Sequence, residues 1–315
     1  VQTALGEGVT TLLTAFGRFQ RACARETADG AIRLWRAALR TLGLERASGL
    51  IGWSWRVFAP WTKRHPRALA QIEVSLPELD ANQRERIVRA MWDGLGQTFA
   101  EGLLLDQLVA EPDRVTMESP EMVAAWQADE GKRGAIFVSM HSGNWEVFGL
   151  AASNAGMRIA GLYQSVQNAR LEADLLQSRE KIYSAGMISK GSHAMKRLFG
   201  LLRDGYGVGM LADQRQANRG VAVDFFGALA PSTPLPALLA LRTDARLVVM
   251  RCKRIGRVRY TLEALELSVE RTGDQDADVA RVTQAIHSQF EAWIRERPEE
   301  WMWAHRRWSR EVRRV

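Results

Sequence analysis

The sequence predicts an α/β fold, a mixed and mostly parallel sheet flanked by helices, with an N-terminal helical region ahead of it. Three observations predict it. Short apolar runs rich in Val, Ile and Leu recur from residue 135 onward, as expected of strands covered on both faces. Amphipathic stretches of helical period separate those runs, so strands and helices alternate. Before about residue 115 the pattern is helical throughout.

In chain order, 31–44 and 48–59 combine Leu, Ile, Trp and Phe with arginines, and Trp35, Trp53, Trp55, Phe58 and Trp61 crowd a narrow interval. Indole beside guanidinium suits a membrane interface, and the same pattern also describes amphipathic helices packed on the body of the protein. Residues 82–108 space Ile87, Trp92, Leu95, Phe99 and Leu103 by three to five positions, between Pro77 and Pro112, which predicts a long scaffold helix. The polar stretch 129–133 leads into the first core strand and places the domain transition near 115–130. Residues 1–115 are therefore expected to form the helical, membrane-associating region and residues 116–315 the α/β core. In that core, strands are expected at 135–140, 157–163, 207–211, 246–252 and 258–267, and helices at 145–155, 171–185, 192–203, 236–243 and 276–297.

The first core run, AIFVSM, ends on His141, and Glu146 follows five residues later. Parallel sheets carry functional groups at the carboxyl ends of their strands, and Ser142, Gly143 and Asn144 supply a turn and a helix N-cap. On a continuous helix His141 and Glu146 would point about 140° apart. A strand-to-helix turn removes that obstacle, so the carboxylate can fold back on one imidazole nitrogen while the other faces a cleft. A histidine base with an orienting acid turns a hydroxyl into a nucleophile without a covalent enzyme intermediate. The bland alternative is a packed strand-end histidine beside a favourable first-turn charge. His65, His193, His287 and His305 offer no better centre.

At 315 residues and 46% hydrophobic the chain can bury a substantial core. Cys23 and Cys252 give neither a disulfide framework nor metal-ligand spacing, so a reducing compartment and no metal or cofactor are expected. A formal charge of +7 points to an anionic partner. Nucleic acid is disfavoured by the lack of a zinc finger, an RNP-like aromatic motif or a basic arm, leaving a phosphorylated lipid, an acidic carrier protein or a membrane face. The uncharged run 225–241 contains Pro231, Pro234 and Pro236 and is expected to be a loop leading into a helix rather than a membrane span. The first residues do not read as a secretory leader, and an anchor upstream of Val1 is left open.

HSGNWE at 141–146, ADQ at 212–214, VDFFG at 223–227 followed by Thr233, and PEEWMWAHRRW at 298–308 together resemble the bacterial late lipid A acyltransferases, as does NQRERIVRAMWDGLGQTFAE at 82–101. The resemblance covers roughly residues 60–310 and implies a glycerolipid-acyltransferase-like fold at the cytoplasmic face of the inner membrane. It implies transfer of a fatty acyl chain from an acyl carrier protein or coenzyme A thioester to a hydroxyl of a lipid A precursor or related anionic glycolipid or phospholipid. The H-x4-D/E pair of that family falls on His141 as general base and Glu146 as its partner.

The resemblance also nominates substrate-binding residues. Arg179, in LEADLLQSREK, is expected to stabilise the oxyanion or bind a substrate phosphate, unless it is a solvated helix charge. The backbone amides of Ser142 to Asn144 are alternative oxyanion donors. Asp213 and Gln214, at the end of a strand on the same sheet edge as His141, are expected to shape the acceptor site with Asn144 and Thr233; Asp213 capping a loop or pairing with Arg215 is the alternative. Phe225 and Phe226 line an acyl tunnel or pack in the core. Arg251, Lys253, Arg254, Arg257 and Arg259 form either a docking patch for an acidic partner or the charged face of an edge hairpin. The chain departs from many members at Gln164 and Ser165, where an arginine and a proline follow the tyrosine. Thioester hydrolysis, or membrane-surface binding without catalysis, are the competing functions.

Overall fold

The computed structural model describes residues 30, 34–129, 132–165 and 169–308, and the helical expectation for 1–29 and 31–33 lies outside them. Helix α1 covers 34–42, followed by α2 (Leu44–Phe58), α3 (His65–Ser75), α4 (Ala81–Leu103) and α5 (Leu105–Val109). Helix α4 starts at a capping box: the Asp80 carboxylate accepts from the Gln83 amide and the Gln83 side chain accepts from the Asp80 amide, both at 2.8 Å. Two glycines let α2 and α4 meet closely. A Cβ on Gly96 would stand 2.7 Å from the Ile51 carbonyl oxygen, and one on Gly52 2.3 Å from Asp93 Oδ1.

The core follows as β1 (Val115–Met117), α6 (Pro120–Asp129), β2 (Ala135–Ser139), α7 (Val147–Asn154), β3 (Ile159–Tyr163), α8 (Ala169–Glu180), β4 (Met187–Ser189), α9 (Ala194–Arg203) and β5 (Gly207–Leu211). A hairpin, β6 (Val221–Phe225) and β7 (Ala228–Ser232), leads to α10 (Leu235–Arg242), β8 (Arg246–Gly256), β9 (Arg259–Leu267) and α11 (Gln275–Glu296). Seven strands form one sheet in the order β1-β9-β8-β2-β5-β3-β4; β8 and β9 are antiparallel and every other pair is parallel. The mostly parallel α/β fold is thus what the strand and helix periods predicted.

Strand β2 is buried along its whole length. Ile136, Val138 and Met140 enter one core with Trp92, Phe290 and Trp301, while Ala135 and Phe137 enter a second with Leu150, Val248 and Tyr260. This alternation places a packed layer on each face of the sheet. The N-terminal helices contribute to both layers, through Met91 and Trp92 to the first and Ala100 and Leu104 to the second.

Of the loop leading into a helix expected over 225–241, the helix forms as α10, but the loop is instead largely the β6–β7 hairpin. Its two-residue turn, Phe226 and Gly227, has φ of 59° and 68°, the left-handed pair that closes tight hairpins. Pro231 fits because this two-stranded sheet has open edges. Phe225 and Phe226 pack in the core against Trp301, Trp303 and Trp308 and do not line the cavity described below. No helix among the described residues is long and apolar enough to cross a membrane.

Candidate active site

Strand register assembles the site. Ser139 of β2 pairs with Leu211 of β5, and two residues further His141 and Asp213 leave the sheet side by side, although they are 72 residues apart in sequence. Asp213 is fully buried. Its Oδ1 lies 2.7 Å from His141 Nδ1, and its Oδ2 accepts from the His141 backbone amide at 2.9 Å and from Trp301 Nε1 at 2.8 Å. Burial opposes ionisation of this carboxyl, but the charge and hydrogen bonds of His141 outweigh it and hold Asp213 below the ordinary carboxylate range. An ionised Asp213 fixes the Nδ1–H tautomer of His141 and leaves Nε2 as the acceptor nitrogen. Gln214 Nε2 lies 3.3 Å from that Nε2.

Glu146 does not take the role of orienting acid. It sits at the N-cap of α7 and accepts both Arg179 Nε at 2.9 Å and Arg179 Nη2 at 2.6 Å, and no hydrogen bond joins it to His141. The reason is chemical competition: a bidentate guanidinium is a stronger partner for a carboxylate than a neutral imidazole, and Asp213 already holds Nδ1. Burial opposes the charge of Arg179, and Glu146 more than offsets it, raising the guanidinium pKa. Arg179 is therefore neither a solvated charge nor a free oxyanion donor, and both partners of this pair line the cavity.

The turn between them is tightly held. Gly143 has φ of 57°, and a Cβ there would stand 2.3 Å from the Cys252 carbonyl oxygen, so only glycine fits without displacement. The Ser142 amide donates to the Met140 carbonyl at 2.8 Å and the Gly143 amide to the Glu300 carbonyl at 3.1 Å. Two of the three amides expected to serve as oxyanion donors, those of Ser142 and Gly143, are therefore engaged. Asn144 is buried: its Nδ2 donates to Glu101 Oε2 at 2.7 Å and its Oδ1 accepts from the Glu146 amide at 3.0 Å. It cannot touch substrate as placed. Thr233 is also apart, its hydroxyl accepting from the Leu235 amide at 3.4 Å, off the cavity wall.

A cavity of about 250 Å³ opens at His141, Gln214 and Trp145. Because β2 alternates, its odd residues Phe137, Ser139 and His141 share the cavity face, and the wall runs from His141 back to Phe137, about 13 Å at strand rise. Gly161 and Gly209 on the neighbouring strands leave it room, and Trp126, Ala151, Ala152 and Met157 make it apolar. Trp126 meets Phe137 edge-on at 5.0 Å.

The predicted basic hairpin at 251–259 forms, but its cations are largely spent internally. Arg251 pairs with Glu263 and Glu296, Lys253 with Glu118 and Glu263, and Arg254 with Glu101. Arg257 and Arg259 are exposed, so the five cations do not act as one free patch. Sequence reasoning quoted Glu101 and Trp301 only as members of the 82–101 and 298–308 segments and gave neither a role at the site; the signal for Trp301 is its place in the PEEWMW segment, beside a strand end that needs a donor.

The family model for the bacterial lipid A biosynthesis acyltransferases matches residues 32–310. A phosphatidylinositol mannoside acyltransferase of Mycolicibacterium smegmatis is 26% identical over 185 residues, 58% of this chain and 59% of that protein. One of Mycobacterium tuberculosis is 27% identical over 179 residues, 56% of this chain and 54% of that protein. The matches thus span between half and two thirds of these relatives. Among solved structures, the 1-acyl-sn-glycerophosphate acyltransferase PlsC of Thermotoga maritima aligns with a TM-score of 0.34 and 10% identity, over 73% of this chain and 95% of that one.

Proposed function

The chain belongs to the bacterial lipid A biosynthesis acyltransferase family, and from that membership we propose that it is an O-acyltransferase moving a fatty acyl chain from a carrier thioester to a hydroxyl of an anionic glycolipid or phospholipid. The observation that carries the reading is His141, held by Asp213 at Nδ1 and presenting Nε2 at the mouth of an apolar cavity.

In this reading the cavity takes the acyl chain, each buried methylene contributing about 0.8 kcal/mol. The acceptor hydroxyl gives its proton to His141 Nε2 as its oxygen attacks the thioester carbonyl. Asp213 stabilises the imidazolium that forms. The Gln214 amide, beside Nε2, is a donor available to the developing oxyanion. Collapse of the tetrahedral intermediate expels the thiolate, which takes the proton back from His141. Glu146 holds Arg179 at the cavity wall by a bidentate pair.

The acceptor is a lipid A precursor or a lipid of similar headgroup charge, and the donor an acyl carrier protein or coenzyme A thioester. Work takes place on a membrane surface, at the cytoplasmic face of the inner membrane. Trp53, Phe58 and Trp61 are 56%, 50% and 79% exposed, which supports a peripheral contact at headgroup level. Trp55 is not part of that surface, since it packs on Trp92 and Phe99. Mass spectrometry of total lipids from cells with and without the chain tests the reading: one lipid class gains the mass of an acyl group only when the chain is present. Free fatty acid in place of acylated lipid would replace transfer by thioester hydrolysis.

A further inference from the structure

Glu101 lies in the last turn of α4, in a stretch that reads as an ordinary amphipathic helix, yet its side chain is fully buried. A buried carboxylate is costly unless every oxygen is satisfied. Glu101 meets that condition with donors from four separate elements. Ser48 Oγ of α2 donates to Oε1 at 2.6 Å, Arg254 of β8 donates at 2.8 and 3.1 Å, the Tyr260 hydroxyl of β9 donates to Oε2, and Asn144 Nδ2 donates to Oε2 at 2.7 Å.

Asn144 is the informative partner. Its other amide atom, Oδ1, accepts from the backbone amide of Glu146, whose carboxylate holds Arg179 at the cavity wall. One helical turn before Glu101, on the same face of α4, the Thr98 hydroxyl donates to the Gly143 carbonyl at 3.1 Å. The helix thus grips the turn that follows His141 at two successive residues. We infer that Glu101 is a positioning residue for acyl transfer: through Asn144 it sets the start of α7, and with it Glu146 and Arg179, relative to His141. This rests on the acyltransferase reading above.

A stabilising role alone would require only the Glu101–Arg254 pair. The link to Asn144 makes a separate demand, because Asn144 is the one donor of the four that also orders the loop carrying cavity residues. A misplacement of about 1 Å at such a loop is enough to cost about 100-fold in turnover.

The test uses the whole chain, with turnover of a radiolabelled acyl thioester on acceptor lipid and thermal unfolding measured on the same preparations. Glu101→Gln is expected to lower kcat by about 10 to 100-fold per folded molecule and to leave KM for the donor within about twofold. The exchange Glu101→Gln with Asn144→Asp keeps one amide, one carboxylate and the net charge of the cluster, and is expected to restore kcat to within about threefold. Should Glu101→Gln fail to fold, Asn144→Ala, which leaves the Glu101–Arg254 pair in place, takes its position and is expected to show the same loss. A folded Glu101→Gln or Asn144→Ala with kcat within about twofold of the unaltered chain overturns the inference, and so does an exchange variant that folds but stays as slow as the single one. No transfer by the unaltered chain overturns the acyltransferase reading, and this inference with it; transfer by the unaltered chain with any of the former results overturns the positioning role alone.

Discussion

Replacing Asp213 by Asn separates the two carboxylates that compete for the role of His141's partner. The substitution keeps shape and removes one acceptor. Two N–H donors, the His141 amide and Trp301 Nε1, converge on Oδ2 at 2.9 and 2.8 Å, so the Asn oxygen is expected to stay there. The reverse orientation would leave both donors unsatisfied, at about 1–3 kcal/mol each. The new NH2 then faces His141 Nδ1, which is 2.7 Å from Oδ1 in the unaltered protein. It can only donate, so Nδ1 must become the acceptor and the ring proton moves to Nε2. The nitrogen that should take the acceptor's proton now carries one. By analogy with the aspartate of hydrolytic triads, kcat should fall by about 10,000-fold, or about 5 kcal/mol of transition-state stabilisation, with the fold kept. Glu146→Gln loosens only the Arg179 pair and should cost about 10 to 100-fold, partly in KM. The assay is steady-state transfer from a radiolabelled acyl thioester, with unfolding temperature as control. An Asp213→Asn enzyme within about tenfold of the unaltered one, or a greater loss from Glu146→Gln, would refute the reasoning.

Three further outcomes follow from the same geometry. His287 is buried, with Nδ1 2.9 Å from the Thr283 carbonyl, and burial first and Arg307 second push its pKa down to about 4. Below an unfolded value of about 6.5 the unfolded chain alone binds this proton, so stability falls between about pH 6.5 and 4, by about 3 kcal/mol in total. His287→Phe should flatten that slope in urea unfolding at pH 7 and 4.5, and an unchanged slope would count against it. Ala152→Phe, which fills the cavity wall, should shift preference to shorter acyl donors by about fourfold per methylene excluded; an unaltered chain-length profile would place the acyl group elsewhere. Serine at both Trp53 and Trp61 should reduce flotation with anionic vesicles by at least about tenfold without changing the unfolding temperature, and equal flotation would remove these rings from the membrane contact.

The core strands were legible because parallel strands buried on both faces leave apolar runs that nothing else in the chain imitates. Strands β1 and β4, with three residues each, are too short to produce a period. The β6–β7 hairpin did alternate, but its Phe-Gly turn lacks the Asn-Gly or Asp-Gly signal, and its prolines read as a loop. At the site, spacing suggested Glu146 as partner of His141 because the two are close in sequence. The contact that forms depends on the register of β2 against β5, and sequence reasoning brought Asp213 to the right edge without its partner. Glu101 was hidden for a different reason. A glutamate in an amphipathic helix and an arginine in a charged hairpin each look solvated, and only their burial together reveals the network.

The central claim is that His141 is the base that deprotonates the acceptor hydroxyl. Its most direct test is the transfer rate of His141→Ala against the unaltered chain, with the same labelled thioester and acceptor, on protein shown to be folded. The account predicts a fall of about 100 to 10,000-fold in acyl-lipid formation, and near-normal turnover by the variant would contradict it.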